Sequence, residues 1–307
     1  MNIIQREFSG EIDKEKMAGL AQAFPDSNLH VSDLPYRFSS WAFDNPDNIG
    51  LWTDDEGHLL AWAVLQTPFW KIDYAYRPAA GGNIHRQLLA WADQRIRIIL
   101  DSPYGLPCWF VNVFASQADR ISDLEILGYT SQANMGEDSW SKVLMRRSTR
   151  EPISDYNMPP GFVIRPLAGE GEADAYVELH RSVFGSRNMT PEWRRRTLYH
   201  PEHIADLDLV VVAPDGCLAA FCVCWLNRKS GETRGQVEPL GVHENYRHLG
   251  LGQAILAEGL QRLRLHGADN VYIETDNYRN AAFNLYSSAG FQVIQDVLVF
   301  RKDVNER

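Results

Sequence analysis

Two periodicities alternate along this chain. Some segments repeat apolar residues near every 3.6 positions, as amphipathic helices do, and others are short apolar runs rich in β-branched and aromatic residues, as strands are. Helices are predicted at about 12–24, 34–43, 84–100, 119–127, 173–184, 191–200 and from the glycines near 250 to Gly267. Strands are predicted at about 48–52, 59–65, 72–76, 109–114, 140–145, 162–166, 209–212, 218–225, 237–242 and 271–275. The alternation predicts an α/β protein.

The second half of this pattern repeats the first. A shift of 162 residues places Gly128-Tyr129 on Gly290-Phe291, and it places predicted strand 110–114 on predicted strand 272–276. Such an internal repeat indicates two copies of one fold. The proline-containing segment 148–160 is the expected linker, so we predict domains at 1–150 and 151–307.

A glycine pair marks the start of the predicted helix that follows strand 237–242. Gly250 and Gly252 allow a tight turn and let a ligand approach backbone N–H groups without meeting a Cβ atom. The first N–H groups of a helix lack internal partners, and the helix dipole adds positive charge. With Arg247 close by in sequence, this pattern predicts a binding site for a phosphorylated ligand.

Several kinds of phosphate site share such glycines. A P-loop needs Lys and then Ser or Thr after its second glycine, whereas Gln253 and Ala254 follow Gly252 here. A dinucleotide fingerprint needs a third glycine where this chain has Ile255, although Glu274 lies at a suitable distance for its ribose-binding acid. The P-loop is therefore excluded, and the dinucleotide site remains a weaker alternative.

A third interpretation covers more residues. The segment Arg247-x-x-Gly250-x-Gly252 resembles the pyrophosphate-binding loop of the GNAT superfamily of N-acetyltransferases, and the stretch from Asn280 to Phe291 resembles the superfamily's N-x-x-A-x-x-L-Y-x-x-x-G-F helix. Two blocks in the family's order are more specific than one glycine motif. The resemblance implies two tandem GNAT-like acyl-CoA acyltransferase domains, each with a mixed α+β sheet, and acetyl-CoA as co-substrate.

The resemblance also implies roles for individual residues. The pyrophosphate would be held by Arg247 and the backbone of His248, Leu249, Gly250, Leu251, Gly252 and Gln253. The thioester and pantetheine arm would meet a bulged strand at Leu240, Gly241 and Val242, with Asn280 bonding the pantetheine. Tyr286 would protonate the leaving thiolate, and Glu238 would be the base, acting directly or through water.

The first half lacks these residues. The same shift puts Leu124 opposite Tyr286 and Ala118 opposite Asn280, and no arginine accompanies the glycines at 81–82. We therefore expect a degenerate first domain and one donor site in the second. The run Arg194–Arg196 is expected to lie on a solvated helix face.

Composition limits the partners. A net charge of −10 argues against nonspecific binding to nucleic acid or anionic membranes, and no apolar run approaches membrane length. Cys222 and Cys224 have no further C-x-x-C set, and His243 and His248 have no ligand spacing, so no metal site is expected. Buried free thiols and a cytoplasmic location are expected instead.

The expected activity is transfer of an acetyl group from acetyl-CoA to the amine of a small-molecule acceptor. One alternative is a non-catalytic acyl-CoA-binding sensor or scaffold, and a more remote one is an NAD-dependent oxidoreductase. The sequence identifies neither the acceptor nor the oligomeric state.

Overall fold

A computed structural model describes residues 2–81, 83–228, 231–277 and 280–304, apart from the side chain of Asn280. The helices are α1 (Glu11–Ala23), α2 (Leu34–Phe38), α3 (Ile84–Ile99), α4 (Ala118–Ile126), α5 (Ala173–Phe184), α6 (Pro191–Leu198), α7 (Leu251–Leu265) and α8 (Asn280–Ser288). The strands are β1 (Ile4–Arg6), β2 (Ile49–Thr53), β3 (Leu59–Gln66), β4 (Lys71–Tyr76), β5 (Cys108–Phe114), β6 (Thr130–Ser131), β7 (Ser141–Ser148), β8 (Val163–Pro166), β9 (Asp208–Val212), β10 (Leu218–Asn227), β11 (Arg234–Val242), β12 (Asn270–Asp276) and β13 (Gln292–Asp303). None of these helices is long and apolar enough to cross a bilayer.

The chain divides into two compact units. The first contains Met1–Val143 and Gln295–Arg307, and the second contains Leu144–Ile294. This differs from the expected division at residue 150, because the last strand of the chain belongs to the first unit and most of 144–150 belongs with the second. The reason is strand pairing, since residues 297–303 of β13 form an antiparallel ladder with residues 108–114 of β5.

Each unit is built on a mixed sheet, which confirms the expected fold class. In the first unit the strand order is β1-β2-β3-β4-β5-β13, with β6 also beside β13. In the second it is β7-β12-β11-β10-β9-β8. The pairs β4–β5 and β11–β12 are parallel, and their neighbours on the β3 and β10 sides are antiparallel.

The predicted repeat is present in the fold. Strands β5 and β12 have the same length and are offset by 162 residues, as are helices α4 and α8. Both of these helices end at a left-handed glycine, with φ +81° at Gly128 and +88° at Gly290. The aromatic residue that follows each glycine then bonds back to the helix, Tyr129 N to Leu124 O at 2.9 Å and Phe291 N to Tyr286 O at 3.0 Å. The two C-terminal turns are therefore equivalent.

One predicted helix is shorter than expected. The segment 34–43 is a helix only as far as Phe38, and a 3-10 turn follows over Trp41–Asp44. Ser40 has an extended backbone with ψ 157°, which interrupts the helical hydrogen bonds. Its hydroxyl lies 2.9 Å from Gln66 Oε1 on β3, so the interruption is fixed by a buried side-chain hydrogen bond.

Apolar side chains cover both faces of each sheet. In the first unit, α3 packs on one face of the sheet, where its Leu88 joins Trp109 of β5 in an apolar cluster. Helix α1 packs on the other face, where its Met17 joins Trp62 of β3. In the second unit, strand β10 is almost entirely buried, with Phe221 and Trp225 among its largest side chains. Because the β10 core fixes its neighbour β11, it also positions the end of β11 that faces the glycine loop.

Candidate active site

The glycine loop places unpaired backbone N–H groups at the start of α7. His248 has φ +64° and Gly250, the residue before the helix, has φ +79°, so both adopt the left-handed conformation. The first amide to close the helix is that of Ala254, which bonds Gly250 O at 3.0 Å. Within the described residues, the amides of Leu251, Gly252 and Gln253 have no acceptor. Together with the helix dipole they form a site for an anion.

Gly252 keeps this site open to a ligand. A Cβ atom there would lie 3.5 Å from Val242 Cγ2 and 3.6 Å from Leu285 Cδ2, which are ordinary contacts. Packing alone therefore does not require a glycine at this position. The same distances show that the end of β11 and helix α8 lie on either side of the helix start, so three predicted segments meet here.

Arg247 is exposed beside the helix start. Its Nε lies 3.4 Å from the carbonyl oxygen of Val242, a long and weak hydrogen bond. The side chains of His248 and Leu249 are also exposed, and so they leave the backbone of the loop accessible. The guanidinium of Arg247 can therefore turn toward an anion at little cost to the fold.

Strand β11 is irregular where the resemblance expects it to be. Cys222 pairs with Leu240 and Cys224 pairs with Val237, so the one residue of β10 between these pairs faces two residues of β11, which is a β-bulge at 238–239. On the other side, the pairing of β11 with β12 covers only 234–236 among the described residues. Beyond Gln236 the two parallel strands separate and leave an open edge of β11.

Two amides on that open edge are available to a ligand. The bond from His243 N to Ala219 O shows which residues of β11 are hydrogen-bonded to β10. Because N–H groups alternate along an antiparallel strand, Gly241 points toward β10, whereas Leu240 and Val242 point away from it. Leu240 and Val242 are thus the candidate donors to a thioester carbonyl or a pantetheine amide.

Gly241 has a packing role in this structure. A Cβ atom there would lie 2.5 Å from Val183 Cγ1 on α5 and 2.8 Å from Phe221 Cζ on β10. Real Cβ atoms do not approach so closely, so only glycine lets α5 lie against the bulged strand. This close packing fixes the position of the neighbouring amides.

Tyr286 lies on α8 with 8% of its surface exposed. Its ring packs edge-on against Phe291, with centroids 6.1 Å apart. Burial raises the pKa of the Tyr286 phenol, and the charges of Glu238 and Cys222 raise the pKa further. Its hydroxyl makes no hydrogen bond within the described residues, so at neutral pH it is a protonated donor without a protein partner.

Glu238 lies in the bulge and is partly buried. Its backbone oxygen accepts a 2.7 Å hydrogen bond from Trp225 Nε1, which holds the bulge in place. After burial, the Glu238 carboxylate contributes to the raised pKa of the Tyr286 and Tyr176 phenols. A carboxylate in the bulge is a candidate to accept a proton from an amine.

A buried polar cluster next to this site was not predicted. Arg194 is 1% exposed and pairs with Asp208 at 2.6 Å, and His203 bonds the same carboxylate at 2.8 Å. The guanidinium of Arg194 also lies 3.7 Å from the centre of the Tyr176 ring. Burial raises the pKa of Asp208, but Arg194 and His203 outweigh it, so the pKa of Asp208 is lower than usual.

Arg194 therefore corrects the expectation that the arginine run is solvated. In this run, Arg195 and Arg196 do have partly exposed side chains, which pair with Glu170 and Glu192 respectively. The sequence contains one signal for the difference, because Trp193 and Thr197 flank the buried face of α6. The hydroxyl of Tyr176 on α5 is likewise buried and makes no hydrogen bond in the described part of the chain.

The two remaining predictions concern Asn280 and the cysteines. Asn280 begins α8 as expected, but its side chain lies outside the described residues. Cys222 and Cys224 are buried free thiols with sulfurs 3.7 Å apart, as predicted. In the described ranges no three His, Cys, Asp or Glu side chains are grouped as metal ligands would be.

The corresponding position in the first unit is filled by side chains. Helix α3 has His85 as its second residue where α7 has Gly252, and α4 has Asp123 where α8 has Leu285. His85 Nδ1 lies 3.0 Å from Asp123 Oδ2, and Arg86 also pairs with that carboxylate. Burial lowers the pKa of His85 to about 4, so the imidazole is neutral at pH 7. In the first unit, the Asp123 carboxylate and the His85 ring thus lie where the second unit has the open, positive start of α7.

Comparison with known proteins agrees with this geometry. A model of the Acetyltransferase (GNAT) family matches residues 173–291. Proteins named mycothiol acetyltransferase are similar to part of the chain, for example those of Salinispora tropica (31% identical over 153 residues, 48% of this chain and 50% of that protein) and Clavibacter michiganensis (32% over 170 residues, 49% and 53%). The chain spans about half the length of these curated relatives.

Solved structures resemble the whole chain. A tandem GNAT protein from the clavulanic acid biosynthesis pathway has a TM-score of 0.67 at 11% identity, with all of both chains covered. A GCN5-related N-acetyltransferase from Sphaerobacter thermophilus has a TM-score of 0.65 at 20% identity, covering 99% of this chain and 96% of the other. Residues 173–291 thus match the Acetyltransferase (GNAT) family, in a chain whose fold is like that of a tandem GNAT protein.

Proposed function

We propose that the second unit transfers an acetyl group from acetyl-CoA to the amine of a small-molecule acceptor. The observation that carries this proposal is the presence in one unit of three features: the amides of Leu251–Gln253 and the hydroxyl of Tyr286, which have no hydrogen-bond partner in the described part of the chain, and the open edge of β11. The amides would bind a phosphate, the open strand edge would bind the thioester, and the Tyr286 hydroxyl would bind the leaving thiolate.

The amides at the start of α7 and the guanidinium of Arg247 would hold the pyrophosphate. The pantetheine arm would then lie along the open edge of β11, as an added strand does, and bond to the amides of Leu240 and Val242. One of these amides would face the thioester oxygen and stabilise the negative charge that develops there. The bulge next to Pro239 directs these amides away from β10.

The ammonium form of the acceptor must first lose a proton, and we propose that Glu238 receives it, directly or through water. The neutral nitrogen then attacks the thioester carbon, a C–N bond forms, the C–S bond breaks to release the thiolate of CoA, and the nitrogen gives up its second proton to solvent. Tyr286 has a raised pKa, above that of an ordinary thiol, so full proton transfer from it to sulfur is unfavourable. Its hydroxyl would therefore stabilise the thiolate by a hydrogen bond, while the proton taken from the amine neutralises the sulfur after release.

We further propose that the first unit binds no acetyl-CoA of its own. The side chains of His85 and Asp123 occupy the place where α7 and α8 leave room in the second unit. A carboxylate at that position would also repel a phosphate. The packing pattern is thus retained without the donor site.

The experiment is to incubate the full chain with acetyl-CoA and a panel of amines while following free thiol. Because similar proteins are named mycothiol acetyltransferases, the amine precursor of mycothiol is the first acceptor to include. Thiol release that depends on the amine, together with an acetylated product by mass spectrometry, would support the proposal. Tight CoA binding without release on any amine would favour a sensor, and retention of NAD instead of CoA would overturn the donor assignment.

A further inference from the structure

A cavity of about 370 Å³ adjoins the start of α7 in the second unit. One wall is a single face of α7, formed by Gly250, Gln253, Ala257 and Leu260. The opposite walls are Leu285, Ser288 and Ala289 of α8 and the segment 153–157 that follows β7. From Gly250 to Leu260 the helix advances about 15 Å, so the cavity runs well beyond the proposed pyrophosphate site.

Arg147, at the end of β7, also lines this cavity although it is 3% exposed. Its Nη2 donates to the backbone oxygens of Glu151 at 3.3 Å and Pro152 at 2.6 Å. Its Nε and Nη1 are buried and have no hydrogen-bond partner among the described residues. Buried donors without acceptors are costly, and an arginine remains protonated when buried, so this guanidinium favours an anionic ligand.

The other charges near Arg147 do not supply that ligand. Burial lowers the pKa of Arg147, and Glu151 opposes this effect while Arg264 adds to it. Glu151 makes no ion pair with Arg147, and its carboxylate lies close to Gly290. Asp155 is exposed at the rim of the cavity, and Glu258 is already paired with Arg262 and bonded by the Tyr156 hydroxyl at 2.9 Å.

Resting on the proposed function, we propose that this cavity holds the 3′-phosphoadenosine end of acetyl-CoA and that Arg147 binds its 3′-phosphate. The pyrophosphate at the helix start would place the attached nucleoside in the cavity. The apolar side chains of Ile153, Leu260 and Leu285 suit a flat adenine ring, and Nε and Nη1 of Arg147 each carry a hydrogen that can be donated to a phosphate oxygen. Arg147 would then distinguish CoA from its dephosphorylated form.

The experiment compares two ligands on the full chain by isothermal titration calorimetry. CoA and 3′-dephospho-CoA differ only in the phosphate that Arg147 would bind. We expect the unchanged chain to prefer CoA by about tenfold to a hundredfold, the range expected for a charged hydrogen bond. In Arg147→Met this preference should fall to about threefold or less, with the affinity for 3′-dephospho-CoA nearly unchanged. Arg147→Lys, which keeps the charge but loses the fork, should retain part of the preference.

The ratio of the two affinities separates ligand binding from a structural role. If Arg147 only supports the segment 151–152, its replacement will weaken the binding of both ligands alike and leave the ratio of their affinities unchanged. That result would overturn the proposal. Arg150→Gln is the matched control, because Arg150 is exposed on the same segment and does not line the cavity. If Arg147→Met does not fold, the ratio is read from Arg147→Lys, where an undiminished preference overturns the proposal. Equal binding of both ligands by the unchanged chain rejects this subsite alone, whereas no binding of CoA rejects the proposed function.

Discussion

Reversing the charge of Arg247 should weaken CoA binding without weakening the fold. Arg247 is exposed, and within the described residues its guanidinium makes one hydrogen bond, the 3.4 Å contact with Val242 O. We therefore expect Arg247→Glu to change the free energy of unfolding by no more than about 0.5 kcal/mol, as surface substitutions do. Removing a charged hydrogen bond to the pyrophosphate should cost about 1.5–3 kcal/mol of binding free energy, and the introduced carboxylate should add repulsion. The dissociation constant for CoA would rise by about tenfold to 150-fold or more.

The assay is calorimetric titration with CoA at physiological ionic strength, combined with thermal unfolding of the unliganded chain. Arg228→Glu is the matched control, because it makes the same change of net charge at an exposed residue whose guanidinium donates, among the described residues, to His266 O alone, at 3.3 Å. If the two variants bind CoA within about threefold of each other, net charge rather than a local contact governs affinity, and the phosphate site lies elsewhere.

Three further predictions follow from the described contacts. Tyr286→Phe should leave the affinity for CoA within a few fold but lower kcat, because only the hydrogen bond to the thiolate is lost; unchanged turnover in the thiol-release assay would make Tyr286 a core aromatic residue. Gly241→Ala should destabilise the chain by about 1–3 kcal/mol, because its Cβ would lie 2.5 Å from Val183 Cγ1; urea unfolding that matches the unchanged chain would contradict this packing. Asp13→Asn tests pH dependence. Hydrogen bonds from Arg6, at 2.5 and 2.8 Å, lower the pKa of Asp13 to about 2, so its stabilisation is present above the ordinary aspartate pKa and is lost as pH falls toward 2. The difference in unfolding free energy between variant and unchanged chain should be on the order of 1–2 kcal/mol at pH 6 and shrink below pH 4; a constant difference would mean that the charge of Asp13 is irrelevant.

Local signals explain why features of the proposed donor site could be predicted from the sequence. Gly250, Gly252 and Arg247 act through backbone conformation and charge within one turn of the chain, and both are visible in the sequence. The block around Tyr286 has a fixed spacing within one helix and its C-terminal turn. Its counterpart 162 residues earlier has the same boundaries in the structure, so the GNAT resemblance and the tandem fold are confirmed together.

Features that depend on distant partners were not predictable. The burial of Arg194 depends on Asp208, which lies on another element, so the run of three arginines does not itself show which member turns inward, and the one signal is that Trp193 and Thr197 flank the buried face of α6. Arg147 is similar, because its surroundings come from α7, α8 and the segment after β7. Strand β13 was not predicted, and its place in the first unit depends on pairing with β5, which lies in the other half of the sequence.

The helix predicted over 34–43 failed for a related reason. Its apolar residues have helical spacing, but Ser40 forms a buried hydrogen bond with Gln66, which lies 26 positions away in sequence. Such a bond competes with the helix only after the strand that carries Gln66 is in place. Periodicity therefore indicated the buried residues correctly and the length of the helix incorrectly.

The place of β13 has a consequence for how this chain is made. The ladder that completes the first unit needs residues up to Asp303, whereas the rest of that unit ends at Val143. At translation rates of about 5–20 residues per second, the ribosome needs about 8–30 s to synthesise the intervening 160 residues (303 − 143). During that interval the edge of β5 lacks its partner. The first unit therefore stays incomplete, and accessible to chaperones and proteases, until the last strand emerges.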